Sequence, residues 1–274
     1  MKNRILVSIP IGIFLIAFAF LRGIPYIAML TIIAVASQYE MTRAMFSAGY
    51  HPNRRTAILF GLFLYPSYLF SPNATLVLFA LLVIYNLIWG VFDNNVKFED
   101  AIISCFTLCY PGSFFLSFVL IGEIVPNVLS VFVMIIAIFS PVTSDVGAYL
   151  IGTKFGKRKL APTISPNKTV EGAIGGVVSS VLIIGSVYLI LCKSNILHNY
   201  PEIVSIEWYH VLICTLLCTL FSQIGDLIAS AFKRFANIKD FSQVLLGHGG
   251  VMDRLDSILF SATIALVYFN VFIR

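Results

Sequence analysis

Nine apolar stretches divide this chain, at 5–21, 25–39, 56–71, 75–92, 101–122, 127–151, 171–192, 208–232 and 255–273. A helix that crosses a bilayer needs about 20 mostly apolar residues, and most of these stretches approach that length. In lipid every backbone polar group must be satisfied internally, which leaves helices or closed barrels. The runs are continuous rather than alternating, so they read as helices and not as barrel strands. The composition agrees: 59% of the 274 residues are hydrophobic and 11% charged, against roughly 25% charged in a soluble domain. The expected fold is an all-α polytopic integral membrane protein of about nine transmembrane helices. A soluble enzyme, a disordered chain and a disulfide scaffold do not fit. No nucleic-acid partner is expected either, because the bases behind the net charge of +5 cluster in loops. Lys2 and Arg4 before the first run also fit a secretory leader, whose removal would leave an equally apolar chain.

Cys105, Cys109, Cys192, Cys214 and Cys218 lie in or at the ends of the spans. They form no CxxC pair and no zinc spacing with histidine. They read as small apolar core residues, with no disulfide and no zinc. His51, His198 and His210 stand alone near span ends.

Nine spans place alternate loops on opposite sides. Of the 18 Lys and Arg, 15 fall on one side. These are Lys2 and Arg4, the second loop (Arg43, Arg54, Arg55), Lys97, the sixth loop from Lys154 to Lys168, and the eighth from Lys233 to Arg254. Arg22, Lys193 and Arg274 fall on the other side. Basic loops stay in the cytoplasm, so the sixth and eighth loops are expected there. Residues 1–140 supply five to six spans, with acids only at loop positions: Glu40, Asp93, Glu99, Asp100 and Glu123. Residues 141–274 carry nearly all the polar chemistry, and the two halves are expected to form one structural unit.

Two carboxylates stand where lipid should be. Asp145 follows MIIAIFSPVTS, and Asp226 sits within ICTLLCTLFSQIGDLIASAF. A charge near the bilayer centre costs roughly 2.5–3.5 kcal/mol on insertion scales, so such residues face a cavity and serve function. Asp226, Ser230, Lys233 and Arg234 share one helix face by their spacing. Beyond them lie Lys239 and Asp240, then a His248-Gly249-Gly250 turn whose bare glycines let backbone amides meet an anion. Asp253 and Asp256, three apart, share a face if that segment is helical, with Arg254 turned away. Several carboxylates for a hard cation thus adjoin several bases for phosphates, the combination magnesium and a nucleoside triphosphate require. The sixth loop, DVGAYLIGTKFGKRKLAPTISPNKTVEGAIGG, is kept extended or turned by Pro162 and Pro166. The next helix starts near Thr169, with Glu171 at its positive end. Gly172 and Gly176 form a GxxxG face for close packing, and Lys168 is the base placed on a phosphate. There is no nucleophile elbow and no Walker A sequence. That suits a reaction in which one phosphate attacks another and the protein mainly positions and stabilises charge. A secondary transporter, which also uses intramembrane acids, stays open on these residues alone.

The stretch SAFKRFANIKDFSQVLLGHGGVMDRLDS, residues 230–257, closely resembles the signature of the phosphatidate cytidylyltransferase (CDP-diacylglycerol synthase) family. The segment from Asp145 to Gly176 resembles it too, so the likeness covers about the last half of the chain. The resemblance implies that CTP and phosphatidic acid give CDP-diacylglycerol and pyrophosphate at the surface of a lipid bilayer. It implies magnesium held by Asp226 and Asp253 with Asp256 close by, and a potassium ion beside it. Catalytic candidates on signature positions are Lys233, Arg234, Lys239, Asp240, His248 and Arg254. Substrate-binding candidates are Lys168, Ser230, Gly249, Gly250 and Asp145. One departure is Leu246, where the family usually has Pro or Gly. The implied location is a bacterial inner membrane with the site facing the cytoplasm. A homodimer and a CTP-dependent lipid kinase stay open.

Overall fold

The computed structural model describes residues 23–194, 200–244 and 249–273. The first expected span, His198, Leu246 and His248 lie outside the described residues, as do Lys2, Arg4, Arg22 and Arg274. The helices are α1 (Ile24–Ser47), α2 (Arg54–Phe70), α3 (Pro72–Phe92), α4 (Phe98–Cys109), α5 (Phe115–Gly122), α6 (Asn127–Phe155), α7 (Val170–Lys193), the single turn α8 (Pro201–Val204), α9 (Trp208–Phe235) and α10 (Met252–Tyr268). A two-stranded antiparallel ribbon, β1 (Lys159–Ala161) and β2 (Ser165–Thr169), separates α6 from α7. Among the described residues seven helical segments are long and apolar enough to cross a membrane. α2, at 17 residues, coincides with the stretch at 56–71. The protein is an all-α polytopic membrane protein. Only 11% of the apolar window of α3 is buried, which marks a lipid-facing helix.

The chain forms two compact units, and neither is contiguous in sequence. In the first, residues 23–119 and 231–255, α1, α2 and α4 bury Met41, Met45, Phe60 and Leu108. α1 runs on past residue 39, so Glu40 is not a loop residue as its polar neighbourhood suggested. It lies in the helix, 2% exposed. Asn53 caps α2 by accepting the Thr56 N–H at 3.4 Å, and the Thr56 hydroxyl donates to buried Asn86 at 3.0 Å. Asp100 and Ser104, on α4, take the backbone N–H groups of His51 and Asn53 at 2.6 and 2.7 Å. The turn between α1 and α2 is thereby pinned to α4.

In the second unit, residues 120–230 and 256–273, α6 and α7 pack backbone to backbone. A Cβ at Gly172 would stand 2.8 Å from the Ala148 carbonyl oxygen, and one at Gly176 2.8 Å from that of Ser144. The GxxxG pair on α7 therefore serves close packing, as its spacing suggested. The polar groups exposed by this approach are paired. Gln223 donates to Ser144 and to the Ala173 carbonyl, both at 3.0 Å, and Thr219 donates to Ser180 at 2.9 Å. Such pairing is what an interior without water requires.

Candidate active site

In the second unit the ribbon and α9 meet at a charge pair. The Lys168 ammonium, on β2, donates to Asp226 Oδ2. Thr169 follows as the N-cap of α7, its hydroxyl oxygen accepting the Gly172 N–H at 3.1 Å. Glu171 turns back and accepts the backbone N–H groups of Lys157 and Arg158 at 3.0–3.3 Å. The ribbon is thus closed at its base, and Lys168 is carried on a short extended strand rather than an open loop. The 28 residues of α9 rise roughly 42 Å at about 1.5 Å each, more than the ~30 Å hydrocarbon core. Both members of this pair stay partly open, with side chains 30% and 28% exposed. Asp145 lies on α6 in an exposed position, and Asp256 is buried on α10.

The first unit holds the second charge pair. Lys233, near the end of α9, donates to Asp253 Oδ1 at 2.8 Å and lies 5.5 Å from the Phe241 ring centre. Here the side chains are only 15% and 8% exposed. The other oxygen, Asp253 Oδ2, accepts the backbone N–H groups of Phe241 at 2.8 Å and Gly250 at 2.9 Å. Gly249 has φ +82°, which favours glycine. The anion cradle expected of this turn takes another form: the amide of Gly250 serves Asp253, and those of Val251 and Met252 serve Glu40 at 3.0 and 2.8 Å. Glu40 also accepts the Ser242 hydroxyl. Sequence reading missed Glu40, since nothing local signals a carboxylate whose partners stand more than 200 positions away. Arg234 and Lys239 line an open depression of about 470 Å³ together with Asn237 and Ile238. Asp240 is exposed next to it in sequence, and Arg254 occupies the first turn of α10.

Of the expected metal ligands, Asp226 keeps one oxygen for a hard cation, whereas both oxygens of Asp253 already accept protein donors. Asp226 Oδ1 is reached by the Ser230 hydroxyl at 3.4 Å, long for an O–H···O bond, so its lone pairs remain open to a metal. Among the described residues no three His, Cys, Asp or Glu side chains gather as a ready ligand cluster. A magnesium ion bound by one or two carboxylates completes its shell with substrate phosphates and water. Of the three carboxylates expected to bind metal, Asp226 and Asp256 belong to the second unit and Asp253 to the first.

Comparison with known proteins places the chain among named relatives. A family model described as the cytidylyltransferase family matches residues 2–272. A Bacillus subtilis protein named phosphatidate cytidylyltransferase is 31% identical over 268 residues, covering 95% of this chain and 94% of that protein. A Staphylococcus saprophyticus protein of the same name is 37% identical over 168 residues, 61% of this chain and 58% of its own length. A Staphylococcus aureus protein of that name is 37% identical over 169 residues, with the same two shares.

Proposed function

The chain belongs to the cytidylyltransferase family and is a nucleotidyltransferase, and from that premise we propose that it transfers CMP from CTP to phosphatidic acid. A phosphate oxygen of the lipid attacks the α-phosphorus of CTP. The bond between the α- and β-phosphates breaks, pyrophosphate leaves, and CDP-diacylglycerol remains in the membrane. The observation that carries this reading is the Lys233–Asp253 pair on signature positions, in a chain whose near-full-length relative is named for that activity.

Such a reaction asks the protein for positioning and for charge opposite the phosphates. Lys233, Arg234, Lys239 and Arg254 meet the triphosphate, and Lys168 meets the lipid phosphate. A lysine ammonium on its flexible four-carbon stem passes from carboxylate to phosphate without backbone movement. Asp226, Asp253 and Asp256 would hold magnesium, with potassium beside it. When bound, the metal neutralises charge on the triphosphate and on the departing pyrophosphate. Ser230, Asp145, Gly249 and Gly250 border the substrates. Asp240 and His248 complete the catalytic set on signature positions. The site faces the cytoplasm of a bacterial inner membrane, where CTP is available.

The test uses purified protein, magnesium, phosphatidic acid and CTP labelled at either the α- or the γ-phosphorus. Label from the α-position should enter the lipid phase, with one pyrophosphate released per lipid formed. Lipid labelled from the γ-position would instead mark a kinase. No lipid label from either form would end the proposal.

A further inference from the structure

Glu40 is a buried acid with no part in the chemistry above, yet three donors of the signature segment converge on it. Its Oε1 accepts the Ser242 hydroxyl and the Val251 N–H, and its Oε2 accepts the Met252 N–H. Met252 opens α10 and Val251 immediately precedes it, and the N–H groups at a helix start have no partner inside it. A carboxylate there satisfies two of them and lies at the positive end of the helix dipole. Gly250 packs against the same group, so that a Cβ at position 250 would run into the Glu40 carboxylate. From the other side Asp253 takes the N–H groups of Phe241 and Gly250. Two carboxylates thus fasten both ends of the segment from Phe241 to Asp253, one from within it and one from α1.

We propose that Glu40 is a positioning residue for nucleotidyl transfer: it fixes the start of α10 and so the direction in which Asp253 and Arg254 point. This rests on the reading that residues 230–257 carry the reaction. Asp253 keeps Oδ1 for Lys233 because its Oδ2 is held by the turn, and the turn is held in turn by Glu40. Without the acid, Val251 and Met252 lose their acceptor and the first turn of α10 frays. Asp253 then no longer fixes Lys233, and the nucleotide loses its aligned partners before the lipid does.

The experiment compares the full-length protein with Glu40→Gln, Glu40→Asp and Ser242→Ala in one detergent. Backbone hydrogen exchange at Val251 and Met252 is measured beside the kinetics. Glu40→Gln keeps the length but sets an N–H₂ donor against the Met252 N–H. Exchange at both amides should quicken by about tenfold or more, and KM for CTP should rise by about tenfold, the effect of one lost hydrogen bond to a charged group. KM for phosphatidic acid should stay unchanged. Glu40→Asp keeps the charge one methylene short and should recover part of both effects. Ser242→Ala, which keeps the acid and removes one donor, should move both readings the same way by a smaller factor; it serves if Glu40→Gln fails to accumulate in the membrane. Unaltered exchange at 251 and 252 would overturn the proposal. So would a loss confined to kcat, in proportion to folded protein, with KM for CTP unmoved. If the unmodified protein transfers no CMP, the functional reading falls, and exchange alone decides the role of Glu40.

Discussion

Two lysine–aspartate pairs occur on expected site positions, and their surroundings give them different consequences. The Lys233–Asp253 pair is nearly closed off from solvent. Removing one member of a buried pair strands the other and costs roughly 3–5 kcal/mol. Because Asp253 keeps two N–H donors, Lys233→Met should fall at or below the low end, about 2–3 kcal/mol. The Lys168–Asp226 pair is about three-tenths open, and exposed pairs contribute about 0–1 kcal/mol. Lys168→Met should therefore leave the thermal unfolding temperature nearly unchanged while turnover drops by about tenfold or more. Thermal unfolding beside turnover checks both, and equal losses of stability would show that exposure does not separate the pairs. All four residues stood out in the sequence: Asp226 as an acid within an apolar run, Lys233 and Asp253 by the spacing around the basic loop, and Lys168 as a base in the sixth loop. Their pairing did not, since Lys168 and Asp226 are 58 positions apart. The internal acceptors around the glycine turn were hidden for a related reason. Spacing shows that a turn offers N–H groups, but not that Asp253 and Glu40 already accept them.

At the scale of elements, all eight expected spans among the described residues are helical, the fifth broken into α4 and α5, because a lipid-facing surface needs no partner to declare itself. What hydropathy missed is polar and depends on partners. α1 continues through Gln38 and Glu40, where the apolar run had ended. The β-ribbon hides in a sequence whose two prolines read only as extended or turned. The α6–α7 contact was half visible: Gly172 and Gly176 carry a familiar spacing, whereas Gly147 and Gly152 on α6 do not. Glycines at helix contacts should then differ by what faces them. Gly176→Val would drive side-chain atoms into Ser144, including its backbone carbonyl, with an expected cost of about 1–3 kcal/mol or more. Gly185→Ala meets only the far end of the Leu212 side chain, which can move aside. Thermal unfolding of the two variants should rank them clearly, and a Gly176→Val protein as stable as the original would mean that α6 and α7 separate freely.

For the whole molecule, the count of basic residues predicts an orientation that the helices alone do not. Single cysteines at Lys157→Cys and Glu202→Cys, both exposed positions, report it in a background without the five native cysteines. An impermeant thiol reagent applied to intact cells should label position 202 and spare 157, and the opposite pattern would invert the topology. The path of the chain has a further effect. The first unit draws its last part from residues 231–255, and Glu40 meets Met252 across 212 positions. A ribosome adds roughly 5–20 residues per second. The carboxylate of α1 therefore waits about 10–40 seconds, at that pace, before its acceptor oxygens meet the N–H groups that complete them. Translation speed becomes part of the assembly of this site: for that interval an acid made early sits on a membrane helix whose matching donors have yet to be synthesised.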